Sequence, residues 1–463
     1  MQSLRAIQLY IGGDWCDGPE TIEVRDLAAG GVLAHVDAAG SQQAEAALAA
    51  AEGAQTPLRE TTPVERADWL AAIADGLDAR AEELTDVIVR EAGKPISAAC
   101  DAPENAARRF RRAAAEARDL PQRYGEYREG STSGHEGWNA IVKPEPIGTV
   151  LCLSPYNYPL QTAILQVAPA LAAGNSVILN PSSKTPVTAA ILTDVIQSTV
   201  DLPDGAFNFV PGKSSEIGDT LAGDDRVDTI AMTDFAAAGD HVARQSKIVN
   251  LVMKLGGNAP ALVFPDANLS DAADACSAGS LKFGGQRCSA VSRVLAHELV
   301  HDEIVERIEL TMESWVVGDP FAESTDFGPL IDADHAKEVD KLVDEAVDAG
   351  AELVCGGQRD GAFYEPTLLA NVPQDARIIS EEQFGPVAAV TTFADEDEAI
   401  ELANASDLAL DASVFTSDHN RALRLATGST PVGSGSMARP LTESAIFPPA
   451  ATTLRGSTAT VST

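Results

Sequence analysis

The sequence predicts an α/β protein of two or three packed units. Three observations point there. From residue 147 to 256, short β-branched strands alternate with helical stretches. A second alternation of strands and helices follows over 257–430. The length, 463 residues, excludes one small domain and allows large cores.

Taken in order, Leu9-Tyr10-Ile11-Gly12-Gly13-Asp14-Trp15 reads as a strand and turn. Residues 41–53 are Ala-rich with helical spacing, and three helical stretches follow near 62–76, 79–93 and 97–118. Residues 121–138 turn to Gly, Ser, Tyr and Arg, the composition of a loop or exposed hairpin. Strands are expected at 148–153, 176–179, 207–210, 227–232 and 249–253, with helices at 158–173, 185–199, 214–222 and 236–247 between them. That alternation builds a parallel sheet. The second unit has helices near 270–283, 299–316 and 332–349, and a strand after Cys288. The Ser-, Thr- and Gly-rich end, 431–463, reads as an extended, partly mobile tail.

Net charge is −36. Such a balance disfavours nucleic acid and anionic membrane as partners. The acids are interspersed with apolar residues, as at Glu338, Asp340, Asp344, Glu345 and Asp348, so this is no disordered acidic tail. There are about nine lysines against some two dozen arginines. An acidic, Lys-poor surface suits a protein kept soluble in high salt, where self-repulsion is screened. No span-length apolar run or signal-peptide pattern is seen. Six scattered cysteines without a CxxC pair fit free thiols in a reducing, cytoplasmic setting.

The chemistry centres on Phe283-Gly284-Gly285-Gln286-Arg287-Cys288-Ser289. Two glycines let a backbone fold closely around a small ligand, and Arg287 favours a reactive thiolate next to it. A second stretch is Leu153-Ser154-Pro155-Tyr156-Asn157-Tyr158-Pro159, whose asparagine lies at the end of a parallel strand. Together the two stretches resemble the aldehyde dehydrogenase superfamily, in order and over most of the chain. The resemblance implies an aldehyde dehydrogenase-like α/β fold. A Rossmann-type cofactor domain takes 1–119 and 140–256, a catalytic domain takes 257–430, and 120–139 with 431–463 form an oligomerisation arm and tail. It implies a homodimer or homotetramer that oxidises a small-molecule aldehyde with NAD or NADP. Cys288 is then the nucleophile, and Asn157 with the Cys288 N–H stabilises the oxyanion.

Several matching positions are changed. The glutamate that activates water in the family falls at Lys254, before Leu255-Gly256-Gly257. A desolvated lysine can act as base; it can instead pair with a charge or favour the thiolate. Branches that pass the acyl group to an acceptor other than water also lack that glutamate. A catalytically impaired subunit kept for binding or assembly is the rival reading. Asp234, after Thr233, puts an acid where the family turn receives a pyrophosphate. The ribose-reading Lys and Glu appear as Asn180 and Ser183, with Ser182 and Lys184 beside them, which makes NADP at least as plausible as NAD. Pro155, Tyr156, Leu255 and Gly256 complete the cofactor set, and Glu382 and Phe384 match the contacts to nicotinamide ribose and ring. The family's Phe-Pro-Phe-Gly-Gly loop becomes Phe447-Pro448-Pro449-Ala450-Ala451, a reshaped substrate mouth. A weaker likeness to non-phosphorylating glyceraldehyde-3-phosphate dehydrogenases suggests a substrate-phosphate site of Arg111, Tyr158, Arg287 and Arg439.

His297-Glu298-Leu299-Val300-His301 spells a zinc motif, but the pattern places it across a strand end and a helix start, so no metal is expected. The charge reading generates a test. Thermal unfolding is expected to move to lower temperature as KCl is withdrawn; a salt-independent midpoint would remove the high-salt reading.

Overall fold

A computed structural model describes residues 5–124, 127–129, 137, 139–141, 144–428 and 452–455. The chain divides into two compact units, Met1–Ala92 with Ile96–Met253, and Gly93–Pro95 with Lys254–Thr463. The second unit therefore begins at Lys254, slightly before the expected boundary at 257.

Unit one is built on a seven-stranded sheet. Its strands run in the order Asn250–Lys254, Thr229–Thr233, Thr149–Ser154, Ser176–Pro181, Phe207–Phe209, Leu9–Ile11, Asp14–Cys16. The four strands from Thr229–Thr233 to Phe207–Phe209 pair in parallel, and the N-terminal hairpin adds an antiparallel edge. Central strands buried on both faces need continuous apolar runs. Leu151, Ile178 and Ile230 supply them and pack with Leu9, Leu48 and Leu221 in one core. Each such side chain contributes roughly 1.5–3 kcal/mol by leaving water.

The helices Pro63–Ala79, Pro159–Ala172 and Pro186–Thr199 each carry proline in the first turn, where its missing N–H costs no bond. Thr62 and Glu65 close a capping box on the first of them. The expected helix near 97–118 runs as Ile96–Ala99 and then Asp101–Tyr124, into the segment assigned to an arm. Within that segment Tyr127–Glu129 pairs antiparallel with Asn139–Ile141.

Unit two carries its own seven-stranded sheet. Its order is Glu352–Cys355, Thr367–Ala370, Val387–Phe393, Val291–His297, Ala259–Val263, Asp411–Phe415, Thr452–Arg455. Five central strands are parallel, and both edges are antiparallel. The tail is thus not wholly free: Thr452–Arg455 pairs with Asp411–Phe415. Val263, Val294, Val390, Ile304 and Phe415 anchor the core.

Glu91 is a feature that apolar patterning conceals. Its buried carboxylate accepts the N–H groups of Val187 and Thr188, both at 2.9 Å, and the Thr188 hydroxyl. It therefore caps the Pro186–Thr199 helix from another helix, Ala81–Ala92. Burial pushes this carboxyl up to about 7, against the three donors. A raised folded value means that folding takes up a proton, so stability from this group is full below the unfolded value of 4.5 and is lost as pH rises through about 7. Glu91→Gln removes the titration. The pH slope of stability is expected to flatten across that window by on the order of 1–3 kcal/mol. Unfolding midpoints at several pH values check this; an unchanged slope would overturn it.

Candidate active site

Cys288 lies in a turn that its neighbours force. The helix Leu269–Leu281 stops earlier than its pattern suggests, because Phe283, Gly284 and Gly285 take φ of 59°, 61° and 70°. Left-handed geometry reverses the chain, and Phe283 is strained there. Gln286 locks the reversal. It is fully buried; its Nε2 donates to Phe283 O at 3.3 Å, and its Oε1 accepts the Ile331 N–H at 2.9 Å. The N–H of Ala290 then bonds Arg287 O at 2.9 Å, bracketing the cysteine. Gly285 is needed for a protein contact: a methyl group there would lie 1.9 Å from Gly385 O.

The cation at the sulfur is Lys254, whose Nζ donates to Cys288 Sγ at 2.6 Å. Arg287 points elsewhere. It donates to Lys282 O at 3.1 Å and to Gly279 O, carbonyls at the C-terminal end of the preceding helix. The Arg287 guanidinium is thus tied to the end of the helix Leu269–Leu281.

Two glycines after Lys254 set the spacing. A methyl at Gly257 would fall 2.3 Å from Cys288 O, and one at Gly256 would fall 2.3 Å from Glu382 Oε2. Glu382 Oε1 accepts the Gly257 N–H at 3.2 Å. Cys288 and Glu382 thus abut the same dipeptide. Burial pushes the Glu382 carboxyl up to about 7, opposed by the Gly257 N–H and the Lys254 charge. Phe384 is buried with φ of 49°, and its carbonyl accepts from His335 Nε2 at 2.8 Å.

Sequence reasoning missed Arg293 as a support for this turn. It is fully buried, and its guanidinium donates to Asn258 O at 2.8 Å and Leu402 O at 2.8 Å. Burial holds it below the usual arginine range, at about 10. The available signal was an arginine inside an apolar strand, Val291–His297. Asn258 Nδ2 holds the same turn through Ile379 O at 2.7 Å.

In unit one, the strand order puts Thr149–Ser154 between Thr229–Thr233 and Ser176–Pro181. Chain connections leave these strands in opposite directions, and such switch points are where open α/β sheets bind ligands. Pro155, Tyr156 and Asn157 follow the first strand. Asn157 is buried and is not the cap of the next helix: that position is Tyr158, which makes no side-chain cap bond. Asn180 turns into the sheet, its Nδ2 donating to Val210 O at 2.8 Å. Ser182 Oγ accepts the Lys184 N–H at 3.3 Å, so Ser182 shapes the turn that presents Ser183 and exposed Lys184.

Asp234 follows Thr233 at the head of the helix Ala236–Gln245. Its Oδ1 accepts the Phe235 N–H at 2.8 Å, and burial raises its carboxyl. The acid occupies a donor that a bound phosphate would use. Arg111 is held by Asp75 at 2.7 Å and Asp78 at 2.6 Å. Arg111 and Arg287, two of the four residues suggested for a substrate phosphate, thus each make bonds within the protein. Arg439 and the 447–451 loop lie outside the described residues.

His297 ends a strand and His301 begins a helix, so the zinc-like pentapeptide is split as its pattern indicates. Among the described residues no group of three His, Cys, Asp or Glu side chains could hold a metal, and no helix is long and apolar enough to cross a membrane.

Comparison with protein families matches residues 15–438 to the family described as "Aldehyde dehydrogenase family". The 3-sulfolactaldehyde dehydrogenase of Priestia aryabhattai is 34% identical over 423 residues, 90% of this chain and 87% of that one. The NADP-dependent glyceraldehyde-3-phosphate dehydrogenase of Bacillus halodurans C-125, solved with NADP, superposes with a TM-score of 0.89 at 33% identity, covering 93% of this chain and 90% of that chain. An NAD-dependent aldehyde dehydrogenase from Sinorhizobium meliloti gives 0.86 at 33% identity, covering 92% and 85%.

The packing at the dipeptide generates a test. Gly257→Ala is expected to displace the Cys288 turn, destabilising the protein by about 1–3 kcal/mol and slowing alkylation of Cys288 by iodoacetamide. Unfolding and peptide-resolved labelling measure both; wild-type behaviour in both would show that the turn has room.

Proposed function

Since the chain belongs to the aldehyde dehydrogenase family and is an NAD(P)-dependent oxidoreductase acting on aldehydes, we propose that it works through covalent attachment of its substrate to Cys288. The observation that carries this reading is the 2.6 Å contact between Lys254 Nζ and Cys288 Sγ. That contact puts a hydrogen-bond donor directly on the sulfur that would attack. Lys254 then serves the first step, addition of sulfur to the aldehyde carbon. Asn157 and the Cys288 N–H are the donors assigned to the oxyanion. Bound NAD(P)+ supplies the hydride acceptor. Cys288 is left carrying a thioester, and water releases the carboxylic acid.

The residues fit the cofactor unevenly. Glu382 and Phe384 are suited to its nicotinamide end, and Ser182, Ser183 and Lys184 to the adenosine ribose, with no acid there to repel a 2′-phosphate. Asn180 supports this turn through its bond to Val210 O. Thr233, Asp234, Pro155, Tyr156, Leu255 and Gly256 complete the proposed set. At Asp234 the fit depends on the proton: the neutral carboxyl no longer opposes a pyrophosphate, and burial raises the pH at which it is neutral. Small anionic aldehydes are the substrate class we favour, with support from the sulfolactaldehyde and glyceraldehyde-3-phosphate relatives. Tyr158 and Arg439 remain candidates for that end. The acidic surface supports work in high salt, the free cysteines support a cytoplasmic setting, and the family supports a homo-oligomer.

Calorimetry with NAD+ and NADP+ separately, in molar KCl, tests the cofactor reading. Affinity is expected to rise as pH falls through the raised Asp234 range, and Asp234→Gly is expected to bind about tenfold tighter and lose that dependence. A variant weaker than wild type would overturn the role given to Asp234. In an assay with lactaldehyde, glyceraldehyde 3-phosphate and succinic semialdehyde, Lys254→Met is expected to lose about 10²-fold in cofactor reduction. Undiminished reduction would remove Lys254 from the first step.

A further inference from the structure

We infer that Glu382 is the general base of the hydrolytic step, accepting the proton of the water that opens the Cys288 thioester. The inference rests on the covalent route proposed above. Its geometric basis is the Gly256-Gly257 dipeptide. Gly257 abuts the Cys288 carbonyl and donates its N–H to Glu382 Oε1 at 3.2 Å, and Gly256 abuts Glu382 Oε2. One residue, Gly257, therefore touches both the Glu382 carboxylate and the backbone of the cysteine to be acylated, which puts a proton acceptor beside that turn.

Lys254 is the obvious alternative, and its position argues against it. It donates to the sulfur at 2.6 Å. As an ammonium it has no lone pair with which to take another proton. A free amine there would be within attacking distance of the thioester carbon and would capture the acyl group as an amide. Turnover therefore requires a different base. Glu382 is mostly buried, and its carboxyl is pushed up to about 7, the range suited to a base at neutral pH. The charged and titratable groups on it are Lys254 and, across the dipeptide, Cys288. On its own segment, Glu381 is held by Arg377 at 2.8 Å.

The step balances. Water oxygen bonds the acyl carbon while its proton passes to the Glu382 carboxylate. The C–S bond breaks, and sulfur leaves as thiolate beside the Lys254 donor. The acid departs, and Glu382 returns its proton to solvent.

The experiment uses the full chain in molar KCl in two arms. The first follows the pre-steady-state burst and steady-state rate with lactaldehyde at saturating NADP+. Glu382→Gln is expected to lose about 10²-fold more in its steady rate than in its burst, with thioester accumulating on Cys288 by mass spectrometry. The second arm omits the cofactor and acylates Cys288 with p-nitrophenyl acetate, with Cys288→Ala as control. Deacylation is expected to slow about 10²-fold in Glu382→Gln and, in wild type alone, to depend on a group titrating near neutrality. Deacylation equal to wild type would overturn the inference and leave Glu382 a cofactor contact. Acyl groups found on Lys254 of wild type would overturn it as well. If the first arm shows no reduced cofactor, the oxidation reading fails there, while the ester arm still decides the base.

Discussion

Gly257 has no room for a side chain against the Cys288 backbone, a side chain on Gly256 would displace the Glu382 carboxylate, and unit two is arranged around that dipeptide. One glycine lies against the Cys288 carbonyl and the other against a carboxylate oxygen of Glu382. Close approach of three backbone segments fixes the sulfur, the carboxylate and the lysine that enters the turn. Such contacts are stiff, because a dense interior transmits displacement instead of absorbing it. The supports are correspondingly buried. Arg293 grips the Asn258 carbonyl, Asn258 grips Ile379, and Gln383 Nε2 donates to Ser292 O and Ile378 O at 2.9 Å each. Cys288, Glu382 and Lys254 therefore stand on a buried hydrogen-bonded frame.

Cations in this chain divide into two uses. At the surface, arginines meet carboxylates, as in Arg226 with Glu45 and Asp224, or Arg424 with Glu396. Exposed pairs of this kind add little stability individually, and less in high salt. Inside unit two the partners differ in kind: Arg293 meets carbonyls and Lys254 meets sulfur. With carboxylates outnumbering basic side chains 69 to 33, a cation reserved for a neutral carbonyl or a thiol is kept from ion pairing by its burial and position.

Much of the fold was legible in the residues, because period-two and helical spacing follow directly from which faces must be apolar. The strands at 149–154, 176–181 and 229–233 fell where β-branched runs placed them. Contacts that depend on tertiary approach were less legible. Nothing local says that Arg287 bonds the carbonyls at the end of the preceding helix, since that follows from three consecutive positive-φ residues two positions upstream of it. Nothing local says that Gly285 serves Gly385, a hundred residues later. Nothing local says that Glu91 receives N–H donors from a second helix. Lys254 was identified by its place before two glycines, and among the roles then open to it the folded chain shows the contact with the Cys288 sulfur.

Thr452–Arg455 closes one edge of the unit-two sheet by pairing with Asp411–Phe415. That pairing has a consequence for biogenesis. The catalytic unit cannot complete its hydrogen-bond ladder until residue 455 has been synthesised, long after Cys288 and Glu382. Until then Asp411–Phe415 presents unpaired donors and acceptors along a strand, a template to which any neighbouring nascent chain can add. An acidic chain repels its own copies during that interval, so its charge also guards an edge that remains open until Thr452–Arg455 has emerged.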